Sequence, residues 1–195
     1  MAETEPKAVL HRYLQRARDA VLWKLDGLAE YDVRRPVTPT GTNLLGLVKH
    51  LAGIELGYFG DTFGRPSGIR PPWDEADPNS DMFAAPDESR EFITGLYRRA
   101  QAHADGTIEA LPLDGAGRVP WWPAERNPVT LYQVLVHVTA ETQRHAGHAD
   151  IARELIDGAA GLQAGNDNLP SHDAAWWAAY RDRVERAARQ AAAGP

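Results

Sequence analysis

Three imidazoles and a carboxylate fall within one short stretch, His137-Val138-Thr139-Ala140-Glu141-Thr142-Gln143-Arg144-His145-Ala146-Gly147-His148, that otherwise reads as part of a long amphipathic helix. Residues four apart share a helix face, with Cβ atoms about 5–6 Å apart, so Glu141 and His145 can address one ion together. His137 and His145 are separated by about 12 Å along the axis at ~1.5 Å per residue. An imidazole ligand sits only ~2.1 Å from a zinc ion, so all four groups cannot serve one ion. By spacing alone, the pairs His137/Glu141, Glu141/His145 and His145/His148 all stay open. An earlier helical stretch, Leu44-Leu45-Gly46-Leu47-Val48-Lys49-His50-Leu51, adds a lone imidazole among apolar residues. Nitrogen and oxygen ligands presented by two helices make a divalent-metal site the leading expectation.

Each of these residues also has a plainer reading. An exposed His–Glu pair at helical spacing adds only a few tenths of a kcal/mol, and a single histidine on an apolar face is commonly a satisfied core residue. The neighbours weigh against that for the later helix. Leu131, Val134, Leu135, Val138, Ala149 and Ala152 border the same face, and a carboxylate drawn inside needs a cation or several hydrogen-bond donors.

The elements that must position these groups are helical almost throughout, with no competing strand pattern. A first helix is expected over residues 7–30, with Leu10, Leu14, Ala17, Val21, Leu25 and Leu28 on one stripe. Two prolines and a glycine, Pro36, Pro39 and Gly41, break the chain. Thr42 or Asn43 then caps a second helix reaching about Phe63. Residues 64–86 form a long connection holding five prolines, Pro66, Pro71, Pro72, Pro78 and Pro86; a connection of that length is usually functional or wraps the fold. Asp87 or Ser89 starts a third helix ending near Gly106. A second loop, residues 111–128, carries Val119-Pro120-Trp121-Trp122-Pro123. A fourth helix runs over residues 129–157 to Gly158, and Ser171 or Asp173 caps a last one bearing Trp176, Trp177, Tyr180 and Val184. Gly46, Gly53 and Gly57 beside His50 either let another backbone or a ligand approach closely or are simply tolerated helix-weakening residues. The expected fold is an all-α four-helix bundle of one domain, residues 1–195, with a core over 7–158 and an extra helix over about 172–192. Such bundles build metal sites from side chains on facing helices.

Composition narrows the function classes. A chain of 195 residues with formal charge −6 has no basic footprint for nucleic acid. It is long enough to bury about 70% of its unfolded surface, so it needs no metal merely to fold. It contains no cysteine, which excludes a thiolate ligand, a cysteine nucleophile and a disulfide framework. The polar start of the chain lacks the apolar core of a signal peptide, and no apolar run reaches the ~18–20 residues of a bilayer span. A cytoplasmic location is the expectation.

The phrases Thr42-Asn43-Leu44-Leu45-Gly46-Leu47-Val48-Lys49-His50-Leu51 and Glu141-Thr142-Gln143-Arg144-His145-Ala146-Gly147-His148-Ala149-Asp150-Ile151 resemble paired motifs of the DinB-like superfamily. The likeness extends over about residues 7–158 and is to the actinobacterial branch of mycothiol-dependent S-transferases and the metal-binding domain of maleylpyruvate isomerase. It implies a four-helix bundle holding a divalent ion, with zinc favoured, on His50, Glu141 and His145. Many members of the superfamily use three histidines. Glu141 in place of the second is the pattern of the mycothiol-dependent isomerase branch.

Three protein ligands leave a coordination position open, as in catalytic zinc sites, although two histidines and a carboxylate also suit non-haem iron. His137 and His148 then become candidates for orienting ligands or contacting substrate. The favoured expectation is a metal-dependent thiol S-transferase of detoxification type. A metal-held thiol is deprotonated, and the thiolate is the reactive nucleophile. This chain has no thiol of its own, and the resemblance implies mycothiol as cosubstrate. Lys49, Arg126 and Arg144 are candidate contacts for a polar cofactor, and Trp73, Trp121 and Trp122 are candidate pocket walls or loop anchors. A metal-dependent hydrolase, with His137 or His148 as base, and a non-catalytic, stress-associated metal-binding protein are the alternatives. The aromatic cluster of the last helix suits a cover for the bundle or a homodimer contact.

Overall fold

A computed structural model describes residues 5–74 and 76–194. Its order is α1 (Pro6–Trp23), α2 (Glu30–Arg34), α3 (Leu44–Glu55), α4 (Arg90–Ala110), β1 (Ala116–Arg118), β2 (Pro128–Thr130), α5 (Leu131–Asp157) and α6 (Ala174–Ala192). The architecture is all-α, as expected. Helix α1 packs along α5 and α3 along α4, while α3 also meets α5. That last contact brings the two histidine-bearing helices together.

The core follows the expected stripes. Leu14, Ala17, Val21 and Leu25 of the first stripe are buried, as are Leu44, Leu47, Val48 and Leu51 of α3. From α5, Leu131, Val134, Leu135, Val138, Ala149 and Ala152 fill the space between them. Helix α5 is therefore held by its apolar face over its whole length, which fixes the azimuth at which Glu141 and His145 project.

Several boundaries differ from the pattern reading for identifiable reasons. The first helix stops at Trp23 rather than near residue 30, because Gly27 takes a left-handed φ of 76°. Two basic side chains hold that turn in place: Lys24 is buried with its ammonium on Asp150 and the Gly161 carbonyl, and Arg153 donates to the carbonyls of Lys24 and Asp26. Asn43 is the cap of α3, its side chain accepting from the Gly46 amide. Beyond Glu55 the helix loosens into a π-turn, Leu56–Gly60, and then a 3₁₀ turn, Asp61–Phe63. Interruptions of this kind are frequent at functional sites. Helix α4 is capped by Ser89 and runs to Ala110, past the expected Gly106. Two three-residue strands, not expected from sequence, pair antiparallel with Ala116 opposite Thr130. They are too short to show an alternating pattern. Their end serves α5, since Thr130 and Gln133 form a reciprocal capping box.

The loop between α3 and α4 lies directly on α3. Its Met82 carbonyl sits where a Cβ on Gly46 would come within 1.8 Å, so a glycine is required there for the close approach. The Asn43 amide donates to the same carbonyl at 3.0 Å. Helix α6, capped by Asp173, buries none of its residues; Trp176, Trp177 and Tyr180 pack on one another instead. Among the described residues, no helix is long and apolar enough to cross a membrane.

Candidate metal centre

His50 projects from the middle of α3 toward Glu141 and His145 on α5. One ligand atom from each of the three lies within 4.8 Å of the others. Glu141 Oε1 stands 3.0 Å from His145 Nε2 and 3.8 Å from His50 Nε2, and the two imidazole rings meet edge-on with centroids 4.9 Å apart. The side chains retain 18%, 28% and 10% of their exposure for His50, Glu141 and His145, so the cluster opens to solvent on one side. Of the pairs left open by spacing, Glu141/His145 is the one that the fold joins to His50.

Each imidazole is held from behind. His50 Nδ1 donates to Asp81 Oδ2 at 2.7 Å, which turns Nε2 toward Glu141 and His145. His145 Nδ1 lies 3.3 Å from His148 Nδ1. A histidine ligand whose other nitrogen bonds a carboxylate or another group is the usual arrangement behind a metal, because it fixes both tautomer and ring orientation. The ionisation states suit a cation as well. Burial pushes Glu141 up, but the charge and hydrogen bond of His145, then His50 and Arg144, hold its carboxyl below the usual value. Burial and the neighbouring His50 lower His145, with Glu141 only partly offsetting them. Burial likewise raises Asp81, and the hydrogen bond and charge of His50 more than reverse that. A carboxylate and two imidazoles with no thiolate form a donor set that fits zinc or another borderline divalent ion.

The other candidate residues divide by position. His137 faces Tyr58 on the π-turn, with its Nε2 3.0 Å from the hydroxyl. The Trp122 indole can only donate, and it donates to the same hydroxyl at 3.1 Å, so Tyr58 ties Trp122 to His137. Lys49 is buried and already engaged, donating to the carbonyls of Ser80 and Phe83 and pairing with Glu88 at 2.7 Å. Arg144 and Arg126 are exposed, and of the two Arg144 is the one whose charge lowers Glu141. A cavity of about 680 Å³ lies between the 64–86 loop and helices α3 and α4, with Lys49, Trp73, Ser80 and Phe83 in its wall. The three clustered donors are not among its lining residues.

Asp81 and Tyr58 are the residues that sequence reasoning missed. Asp81 shares its loop with Asp74 and Asp77, and nothing local singles it out; the length of the loop was the only signal. Replacing Asp81 by Asn is expected to weaken metal affinity about 10–100-fold, the usual cost of losing such a partner. Competition with a chromophoric chelator would measure it, and near-native affinity would show that the Asp81 contact does not orient a ligand.

A helical bundle with one histidine on α3 and a Glu-x₃-His pair on α5 is a DinB-like protein in architecture and motif. The family model described as Mycothiol-S-transferase matches residues 9–158, from α1 to the C-terminal cap of α5. The chain belongs to the mycothiol-S-transferase family. A search of curated proteins found no match.

Proposed function

We propose that this protein is a metal-dependent S-transferase that activates mycothiol for attack on an electrophilic substrate. The observation that carries the reading is the cluster of His50 Nε2, Glu141 Oε1 and His145 Nε2, open on one side and backed by Asp81 and His148. These three residues would hold the ion. A divalent ion there, with zinc favoured by the donor set, supplies a Lewis acid that stabilises a thiol as thiolate at neutral pH.

The chain's own groups account for the remaining requirements. With Nε2 of both histidines turned inward, their Nδ1 atoms carry the protons, donated to Asp81 and His148. Glu141 contributes the negative charge that balances the cation. The absence of cysteine removes any internal thiol that would compete for the open side. Arg144, exposed on the same helix and close enough to influence Glu141, is placed to meet a polar cofactor, whereas Lys49 is spent on its own loop.

The hydrolase alternative needs a free base beside the cluster. Of the two imidazoles available for that role, His137 has its Nε2 engaged with the Tyr58 hydroxyl and His148 has its Nδ1 against His145. The thiol reading needs neither.

The test is thiol consumption by chelator-treated and metal-reconstituted protein, with mycothiol and an alkylating electrophile. Consumption above the uncatalysed rate, lost on chelation and restored by one equivalent of Zn²⁺, is expected. Bound metal without enhanced consumption of mycothiol or any other low-molecular-weight thiol would contradict the reading.

A further inference from the structure

Helix α3 and the π-turn that follows it carry a second feature on the face that bears His50. Gly46, His50, Gly53 and Gly57 recur at spacings of four, three and four, which is one stripe of a helix. Trp73 lies on Gly53 so closely that a Cβ there would come within 2.7 Å of its ring, and Trp121 lies on Gly57 with the corresponding distance 2.8 Å. The two indoles come from different loops, yet they reach the stripe one turn apart, about 6 Å along the axis. Neither is placed there to fill the core, since Trp73 keeps 41% and Trp121 52% of its exposure. Small-molecule sites are lined mainly by apolar and aromatic side chains, and two half-exposed indoles on the stripe that bears His50 supply such a lining.

Trp121 is braced for this position. Its ring meets Tyr58 edge-on at 5.1 Å, and Tyr58 is fixed by the hydroxyl bonds to Trp122 and His137. Held in this way, the indole still keeps half of its exposure. Pro72, the neighbour of Trp73 in the chain, also crowds Gly53.

We infer that Trp73 and Trp121 form an acceptor subsite for a planar, apolar aromatic group, placed one to two helical turns from His50. Each indole comes to the stripe that bears His50 and keeps a large part of its ring surface exposed, Trp73 41% and Trp121 52%. Aromatic faces also favour such a ring beyond the area it buries. This inference rests on the transferase reading for its chemistry: the subsite holds the electrophile while the thiolate attacks. For a benzylic chloride, the S–C bond forms as the C–Cl bond breaks, chloride leaves with the electron pair, and the thiol proton passes to solvent.

The experiment is equilibrium dialysis of 4-nitrobenzyl alcohol, an unreactive aromatic probe, against the full chain without metal or thiol. Trp73→Ala and Trp121→Ala are each expected to weaken binding about tenfold, with Phe at either position restoring most of it. Gly57→Ala, followed with thermal unfolding, supplies a second check. It favours the helix but sets a methyl against the Trp121 ring, and it should weaken the probe as well. In a parallel assay, the Trp variants should raise KM for 4-nitrobenzyl chloride and leave chloroacetamide unaffected. Unchanged probe affinity in both alanine variants would overturn the subsite. Tryptophan-dependent probe binding in a wild-type protein that turns over no electrophile would keep the subsite and remove the transferase reading.

Discussion

His145→Ala is expected to lose its divalent ion and, with it, all metal-dependent thiol consumption. The loss of affinity should exceed the roughly 100-fold ceiling for groups that act from behind a ligand. His145 is the innermost of the three donors and the one that touches both of the others, at 3.0 Å from Glu141 and with its ring edge-on to His50. Removing it leaves Glu141 and His50 separated by 3.8 Å with no third group to close the site. Glu141→Gln should behave similarly for a second reason. It keeps the shape but removes the one negative charge in the donor set, and two neutral imidazoles with an amide are a poor host for a dication. Metal content after gel filtration, read together with thermal unfolding, separates the effects. A folded His145→Ala protein that retains one equivalent of metal would show that the ion sits elsewhere. His148→Ala, by contrast, should keep the ion at reduced affinity.

The largest effect on stability is expected away from the metal centre, in a charge cluster that joins α1, α3 and α4. Arg18 on α1 and Glu55 at the end of α3 form a two-bond ion pair, 2.7 and 2.6 Å, with both side chains fully buried. Arg18 also reaches Asp105 of α4 at 2.7 Å, and Asp105 in turn bonds His11 at 2.7 Å. Three helices thus converge on one guanidinium. Burial disfavours the Arg18 charge, but Glu55 and then Asp105 more than compensate and push its pKa further up. Burial raises Glu55, against the pull of Arg18. Arg18→Met leaves Glu55 buried without its cation and should cost about 3–5 kcal/mol, the usual penalty for breaking such a pair from one side. Pairing it with Glu55→Leu should recover much of that loss, because two apolar groups replace two desolvated charges. Chemical denaturation of the two single variants and the double variant provides the test. Additive losses would show that the pair is not coupled.

The acid side of this stability has a defined sign. Burial raises Asp105, but its bonds to His11 and Arg18 outweigh that and leave it below the ordinary value. Its contribution is complete above the unfolded aspartate pKa of about 4. It disappears as pH falls through the lower folded value.

How much of this was legible in the sequence depended on the range of the interaction. Helix periodicity placed α1, α3, α4, α5 and α6, since apolar residues at three- and four-residue spacing report directly on a buried face. Caps at Asn43, Ser89 and Asp173 were among the residues expected, because capping is a property of neighbours in the chain. Gly27 ended α1 early, and that turn depends on Lys24 and Arg153 reaching partners on α5 and beyond it, which no local pattern records. The site followed the same rule. Glu141 and His145 are neighbours on one helix and were paired by geometry, but spacing left three pairs open, and only the resemblance tied His50 to one of them. Asp81 was invisible because it reaches His50 from 31 residues away, in a loop with no periodicity. Close approach was one of two readings of the glycine stripe, and what approaches differs by position: a carbonyl at Gly46 and indoles at Gly53 and Gly57.

The most direct measurement is a crystal structure of the zinc-loaded protein with anomalous data collected across the zinc edge. A single strong anomalous peak is expected within ~2.0–2.2 Å of His50 Nε2, His145 Nε2 and a Glu141 carboxylate oxygen, with His50 Nδ1 still bonded to Asp81. A peak bound through other residues, or no peak at these three in a fully loaded protein, would contradict the proposed centre and the chemistry built on it.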